Sequence, residues 1–279
     1  MIKALKEAIH MALFGFIGVG NMGGAMAKAA AKAVGGNAIF VSAKHPERAE
    51  AFAAAIGATA VTNQQIAEKC DYIVLGVKPQ FMEEVLSPLQ EILAARQNAV
   101  LISMAAGLTM ATIASMAGGD MPMIRIMPNT PSLVGAGVIQ YDCNALVTEE
   151  QKHMFLKAFA PAGRLDPLPE RLIDAGSALS GCGPAFCALF MEALSDGGVA
   201  CGLPRQQALE YAAQTMLGTA KLMLETGNHP GIMKDQVTSP GGSTIQGVRA
   251  LEKGGLRSAV MEAVIAAYEK NKDLGTPKK

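Results

Sequence analysis

Three features of this 279-residue sequence predict an α/β fold in two parts: a parallel sheet wound with helices, then an all-helical segment. Short apolar runs alternate with helical patterns up to about residue 170, as expected of strands joined by crossover helices. A glycine-rich turn follows the first run and opens the first helix. Beyond residue 170 no convincing strand pattern remains, and Ala-, Leu- and Met-rich stretches at helical spacing fill 173–225 and 244–272.

The elements follow in order. Residues 12–17 (ALFGFI) read as a strand and 22–34 (MGGAMAKAAAKAV) as a helix of strong helix formers. Residues 38–42 are a second strand, and 46–57 a helix closed by Gly57. Then come a strand at 72–77, a helix from about 79 to 95, a strand at 99–104, a helix near 109–117 and a strand at 123–127. Residues 132–141 look like another strand, 148–159 a helix and 163–168 a last strand. Thr148 followed by Gln151 fits a capping box. The domain boundary is placed near 170: residues 1–170 form the first domain, with 1–11 as an N-terminal extension and Met11 as a candidate initiator, and 171–279 form the helical domain. The tail TPKK is expected to fray.

Composition excludes several classes. Net charge is zero with no Lys/Arg-rich run, aromatics are 5% and Trp is absent, so nucleic acid is not an expected partner. Five cysteines without a C-x-x-C pair and four histidines give neither a zinc site nor a disulfide framework, which fits free thiols in a reducing cytoplasm. The first sixteen residues are no signal peptide, and no run of 18 uncharged apolar residues argues for a membrane span. The helices at 184–194 and 258–268 carry apolar residues over more than one narrow stripe. They are either central to their domain or buried against a partner chain, and a dimer built on this domain is the favoured reading.

The turn IGVGNMG supplies Gly18, Gly20 and Gly23 in a G-x-G-x-x-G between strand and helix. That context is a Rossmann-type dinucleotide fingerprint: a tight turn, a close approach to a pyrophosphate, and close helix–strand packing. The plainer alternative is a glycine-rich turn without a ligand. At the end of the second strand, SAKHPER offers Ser42, Lys44 and Arg48 where a carboxylate would hold the ribose of NAD. Hydroxyl and cation suit a 2′-phosphate, so NADP(H) is favoured over NAD(H), against the alternative of a solvated basic turn. GVKPQ (76–80), SMAAG (103–107) and MPNTP (127–131) end further strands and are expected to line the cofactor cleft. No histidine lies in a strand-end turn, so a His–Asp dehydrogenase pair is not apparent.

The stretch TSPGGST (238–244) breaks a helical region. Ser239 or Ser243 can cap a helix beginning near Thr244, while Gly241 and Gly242 expose consecutive backbone N–H groups as an anion nest suited to a carboxylate. SGCGP (180–184) repeats that logic. Two ordinary capped helix starts are the competing reading.

FIGVGNMG, VKP, SMAAG, MPNTP, LSGCGPAF, DGGVACGLPR and HPGIMKDQVTSPGGSTIQGVRALE occur in this order across residues 12–275, and the chain thereby resembles the pyrroline-5-carboxylate reductases, which complete proline synthesis. The segment from Pro230 to Glu252 carries the resemblance most specifically. The resemblance implies reduction of 1-pyrroline-5-carboxylate to L-proline with NADPH preferred and NADH as the alternative, a Rossmann domain, an intertwined helical dimer and, in some members, rings of dimers. It implies that Ile17, Gly18, Val19, Gly20, Asn21 and Met22, with Gly23, hold the pyrophosphate, and that Ser42, Lys44 and Asn63 surround the adenosine ribose. Val77, Lys78, Pro79, Ala105 and Ala106 would line the nicotinamide path, with Gln236 near the cofactor where the family often has Asn. Ser239, Gly241, Gly242, Ser243 and Thr244 would bind the substrate, and Thr244 would partner the ring nitrogen. A rival reading is a β-hydroxyacid dehydrogenase, but residues 176–192 lack the catalytic lysine of its G-x-x-K-x-x-x-N arrangement. A non-catalytic redox sensor is the other rival, and it has no need for a substrate nest.

Overall fold

The computed structural model describes residues 12–274. The expectations for the 1–11 extension, for Met11 and for the TPKK tail lie outside those residues. The chain forms two compact units, the first running to Gly181 and resuming at Tyr268, the second spanning Cys182–Ala267.

The first unit is built on β1 (Phe14–Ile17), α1 (Asn21–Val34), β2 (Ile39–Ser42), α2 (Pro46–Ile56), β3 (Thr59–Ala60), α3 (Asn63–Lys69) and β4 (Tyr72–Leu75). It continues through α4 (Met82–Leu86), α5 (Gln90–Ala94), β5 (Val100–Ser103), α6 (Met110–Ala117) and β6 (Met123–Met127), then β7 (Gly137–Cys143), α7 (Glu149–Phe159), β8 (Gly163–Pro167) and α8 (Glu170–Ser180). The eight strands form one sheet in the order β3-β2-β1-β4-β5-β6-β7-β8. The first six in that order are the doubly wound dinucleotide-binding arrangement. Phe14 pairs with Ile39 on one side and Tyr72 on the other, so β1 is central.

The strand sequences explain both faces. Phe14 and Phe16 enter one buried cluster with Met26, Val41, Val74 and Phe159, whereas Ile17, Ile73 and Leu75 enter the opposite one with Ile66, Met82 and Leu86. Alternate residues point to opposite faces, and both faces are covered, so the strands read as continuous apolar runs. Each such side chain contributes about 1.5–3 kcal/mol of burial. Capping boxes start α3 (Thr62 with Gln65) and α7 (Thr148 with Gln151), the second as expected from the sequence.

Four details differ from the sequence expectations. β7 runs antiparallel to β6, so the sheet is mixed rather than wholly parallel. Residues 130–134 form a 3₁₀ turn, started by Pro131, and the strand expected from 132 begins at Gly137. The helix expected over 79–95 is cut into α4 and α5 by 3₁₀ turns at Pro79–Phe81 and Ser87–Leu89, because Pro88 lacks the amide hydrogen a continuous helix needs. The short β3 and α3 were not anticipated.

Arg125 of β6 is fully buried, with Nη2 2.7 Å from Asp174 and Nη1 3.5 Å from Glu170 of α8. The Glu170 amide donates to Asp142 (2.6 Å), and the Asn129 side chain donates to the Ser180 carbonyl (3.0 Å). Both ends of α8 are therefore tied to β6, β7 and their turns. From the far end of the chain, the Asn271 side chain donates to the Asp174 carbonyl (3.1 Å).

Burial makes one pH effect. Cys70 is fully buried, and its thiol is pushed from 9.0 up to about 12, chiefly by that burial. The buried Tyr72 phenol is raised for the same reason. A raised acid favours folding fully below its unfolded pKa, and the contribution is lost as pH climbs through the folded value. The denaturant midpoint is therefore expected to fall between pH 9 and 12. In Cys70→Ala that fall is shallower; an unchanged slope in this variant would remove Cys70 as a cause.

The second unit contains α9 (Gly183–Ala200), α10 (Arg205–Thr226), α11 (Pro230–Gln236), α12 (Ser243–Lys253) and the first part of α13 (Leu256–Leu274). Gly198 lets α9 approach α10, since a Cβ there would lie 3.3 Å from Ala208. Few apolar side chains are covered: Leu189 is 67%, Leu217 61% and Leu224 70% exposed in the single chain. So much exposed aliphatic surface is the mark of an association face. Glu170–Ala200 is also, by length and composition, long and apolar enough to cross a membrane. It is divided, however, by the turn at Gly181–Cys182, and its first turns carry Glu170, Arg171 and Asp174.

Candidate functional site

In the first unit the glycine turn sits at the carboxyl end of β1. Gly18 has φ +94° and its amide donates to the Ser42 carbonyl (2.9 Å), joining the ends of β1 and β2. A Cβ on Gly23 or on Gly76 would strike the Gly18 carbonyl oxygen, so three backbones meet where no side chain fits. Gly20 is different: a Cβ there would meet nothing within 4 Å, and the residue is exposed. Gly20 is the N-cap of α1 and provides no side-chain cap, so the first amides of the helix, from Asn21 to Gly23, have no side-chain partner. That is an anion cradle of the kind a pyrophosphate needs.

Beside it lies a cavity of about 840 Å³, lined by Ile17, Gly18, Ser42, Lys44, Asn63 and Val77 of the residues singled out by sequence. The Ser42 hydroxyl donates to Asn63 Oδ1 at 2.6 Å, linking the end of β2 to the start of α3. Lys44 is the one cation among the described lining residues, which also include Glu50 and Glu84. Its ammonium lies 6.0 Å from the centroid of the Phe81 ring. The remaining wall is mostly apolar, from Val61, Val85, Pro88 and Leu89. The volume and the donor set suit a nucleotide.

Other expected residues lie outside that cavity wall. Val19, Gly20, Asn21, Met22 and Gly23 form the turn and first helical residues just described. Lys78 is exposed and Pro79 half-buried in the turn after β4; Ala105 is buried and Ala106 half-buried after β5, where Ala105 donates its amide to the Ser103 hydroxyl (3.3 Å). Phe81 and Thr62, which also line the cavity, were not singled out by sequence. Phe81 was hidden inside an expected helix, although an aromatic two residues beyond VKP was the available signal.

In the second unit α11 ends at Gln236, which is exposed, and the TSPGGST loop leads into α12. The cap differs from the expectation. Gly242 is the N-cap with extended backbone (φ −71°, ψ 168°), and no side chain caps the helix. Ser243 is the first helical residue, and a Cβ on Gly242 would run into Ser239 Oγ. Nor are the Gly241 and Gly242 amides both available, since that of Gly242 donates to the Ser239 carbonyl (3.0 Å). With Gly241 at φ +72° turning the chain, the amides of Ser243, Thr244 and Ile245 lack side-chain caps instead. Thr244 and Ser243 are exposed. The SGCGP segment likewise gives α9 no side-chain cap.

Comparison with known proteins agrees with both halves. A family model for pyrroline-5-carboxylate reductase dimerisation matches residues 170–274, and one for NADP oxidoreductase, coenzyme F420-dependent, matches 13–107. A pyrroline-5-carboxylate reductase of Escherichia coli is 41% identical over 264 residues, covering 93% of this chain and 97% of that one. The structure of a pyrroline-5-carboxylate reductase from Coxiella burnetii superposes with a TM-score of 0.88 at 33% identity, over 96% of this chain and all of the other (100%). That of the Plasmodium falciparum pyrroline carboxylate reductase with NADP bound gives 0.85 at 33% identity, over 95% and 98% of the two chains. With a likeness this even along both chains, and the nucleotide turn and the TSPGGST loop each inside a matched segment, the chain belongs to the pyrroline-5-carboxylate reductase family.

Proposed function

We propose that this chain reduces 1-pyrroline-5-carboxylate to L-proline, with NADPH as the preferred cofactor and NADH as the alternative. The observation that carries the reading is the 41% identity to a named reductase over nearly the whole of both chains. The division of labour follows the boundary expected near residue 170, although the compact units divide later, at Gly181: residues 1–170 are proposed to hold the nucleotide, and 171–279 the substrate and the partner chain.

Residues 17–23 take the pyrophosphate, on amides left open at the start of α1. Ser42, Lys44 and Asn63 take the adenosine ribose. Because the Ser42 hydrogen is already given to Asn63, the Asn63 amide and the Lys44 ammonium are the donors left for a 2′-phosphate. Val77, Lys78, Pro79, Ala105 and Ala106 line the way to the nicotinamide; Gln236 is a separate proposed cofactor contact. When bound, the reduced nicotinamide supplies the hydride.

The chain's own part in the chemistry is alignment and proton handling. A protonated imine is electrophilic, so the protein must chiefly hold the ring at contact distance and keep water out. The uncapped amides of Ser243 and Thr244 receive the substrate carboxylate, with Ser239, Gly241 and Gly242 shaping the turn. The Thr244 hydroxyl hydrogen-bonds the ring nitrogen, orienting it or relaying its proton rather than acting as a strong acid. The exposed aliphatic faces of the second unit join two copies, which assemble in some arrangements into rings, in the cytoplasm.

Two measurements test this. NADPH oxidation followed by absorbance is expected with 1-pyrroline-5-carboxylate and absent with a 3-keto acid, and a lower KM for NADPH than for NADH is expected; the reverse specificity overturns the reading. Sedimentation is expected to give at least twice the 28.9 kDa chain mass. A monomer at micromolar concentration contradicts the dimer.

A further inference from the structure

We infer that Phe81 is a specificity-determining residue: its ring holds the Lys44 side chain in place for a ribose 2′-phosphate, and so favours NADPH without touching the phosphate itself. The inference rests on the NADPH reading above and adds to it a residue from a different strand turn.

Lys44 stands in the turn after β2, and Phe81 closes the 3₁₀ turn after β4. Both line the same cavity, and the Lys44 ammonium sits 6.0 Å from the Phe81 ring centroid. Phe81 is 44% exposed, so its ring is not there to fill the core. Its backbone is fixed by Pro79 and by its own amide, which donates to the Lys78 carbonyl (3.0 Å). A fixed ring face is a shelf for a cation.

Lysine needs such a shelf here. Its flexible four-carbon stem carries rotamer entropy, which a free lysine must lose on gripping an anion. Two carboxylates, Glu50 and Glu84, line the same cavity. Held over the Phe81 ring, the ammonium keeps its hydrogens for another acceptor, because the ring takes up charge without consuming a donor in a salt bridge. The Ser42 hydroxyl is already donated to Asn63, which leaves the phosphate more dependent on Lys44.

The test is calorimetric titration of the full chain with 2′,5′-ADP and with AMP, which differ by the 2′-phosphate. Lys44→Gln is expected to weaken 2′,5′-ADP by about tenfold or more, as for loss of a charge-assisted hydrogen bond, and to leave AMP unchanged. Phe81→Leu is expected to weaken 2′,5′-ADP by about two- to fivefold with AMP unchanged, as for loss of an exposed cation–π contact. Phe81→Tyr restores parent affinity. In the double variant the Phe81→Leu effect vanishes, since there is no cation left to hold. A Lys44→Gln variant with parent affinity for 2′,5′-ADP would sink the NADPH reading and the inference with it. If Lys44→Gln behaves as expected but Phe81→Leu weakens both probes equally, or neither, the NADPH reading stands. Phe81 is then an adenine platform or a bystander, and the inference is overturned.

Discussion

Gly23→Ala is expected to lower Tm by on the order of 5 °C and to abolish detectable nucleotide binding, whereas Gly20→Ala leaves Tm unchanged and weakens only binding. The two glycines belong to one fingerprint but face different neighbours. A methyl on Gly23 drives into the Gly18 carbonyl oxygen, and the Gly76 Cα lies 3.5 Å away on the other side. Those are backbone atoms, and Gly18 is itself pinned by its 2.9 Å bond to Ser42, so helix α1 must move off β1. Overpacking of that kind costs about 1–3 kcal/mol. A methyl on Gly20 meets nothing within 4 Å in the protein, and its φ of −66° suits alanine. It obstructs only what approaches from outside, over the open amides of α1. Thermal melts and calorimetry with NADPH on both variants check the contrast; equal Tm losses would show that the turn has no open side.

Thr244→Ala is expected to cut turnover by about a hundredfold while leaving Tm within about 1 °C of the parent. Thr244 is exposed on the first turn of α12 and supplies no cap, so its removal disturbs neither packing nor the helix start. The backbone amide that is proposed to receive the substrate carboxylate survives the substitution. The KM for the imine should therefore change little, and the loss should fall on kcat. Thr244→Ser, which keeps the hydroxyl, should recover most of the rate. Near-normal turnover in Thr244→Ala would remove this hydroxyl from the chemistry.

The parts of the molecule that could be read in the sequence are those where local chemistry and tertiary setting agree. Phe14–Ile17 is apolar on both faces and ends in glycines, so strand, turn and helix follow from neighbours in the chain. Thr148 and Gln151 name the start of α7 by themselves. Where the setting decides, the sequence was silent. The reversal of β7 depends on its pairing with β6, which no residue of Gly137–Cys143 encodes locally. Thr59–Ala60 is too short to show alternation. Pro88 marks the break in the sequence, since it cannot donate the amide a continuous helix needs.

The candidate sites divide in the same way. Ser42, Lys44 and Gly18 come together because they end adjacent strands, a placement that follows from the fold class. The cap of α12 was misread because serine is the commoner cap, while the backbone here gives the position to Gly242. Phe81 joins the cavity only because β4 and β2 lie on either side of β1. The excess hydrophobicity read at 184–194 and 258–268 falls on exposed faces of α9 and α13, where Leu189 is 67% and Met261 60% exposed, whereas the exposed face of α10 was not singled out.

The central claim is that hydride passes to the imine carbon of the pyrroline ring. Its most direct test is turnover of 1-pyrroline-5-carboxylate by the purified chain, with NADPH carrying deuterium at both positions of carbon 4 of the nicotinamide, read by mass spectrometry and NMR of the product. One deuterium on carbon 5 of L-proline is the expected result. Unlabelled proline, label at another carbon, or cofactor oxidation without proline would contradict the account.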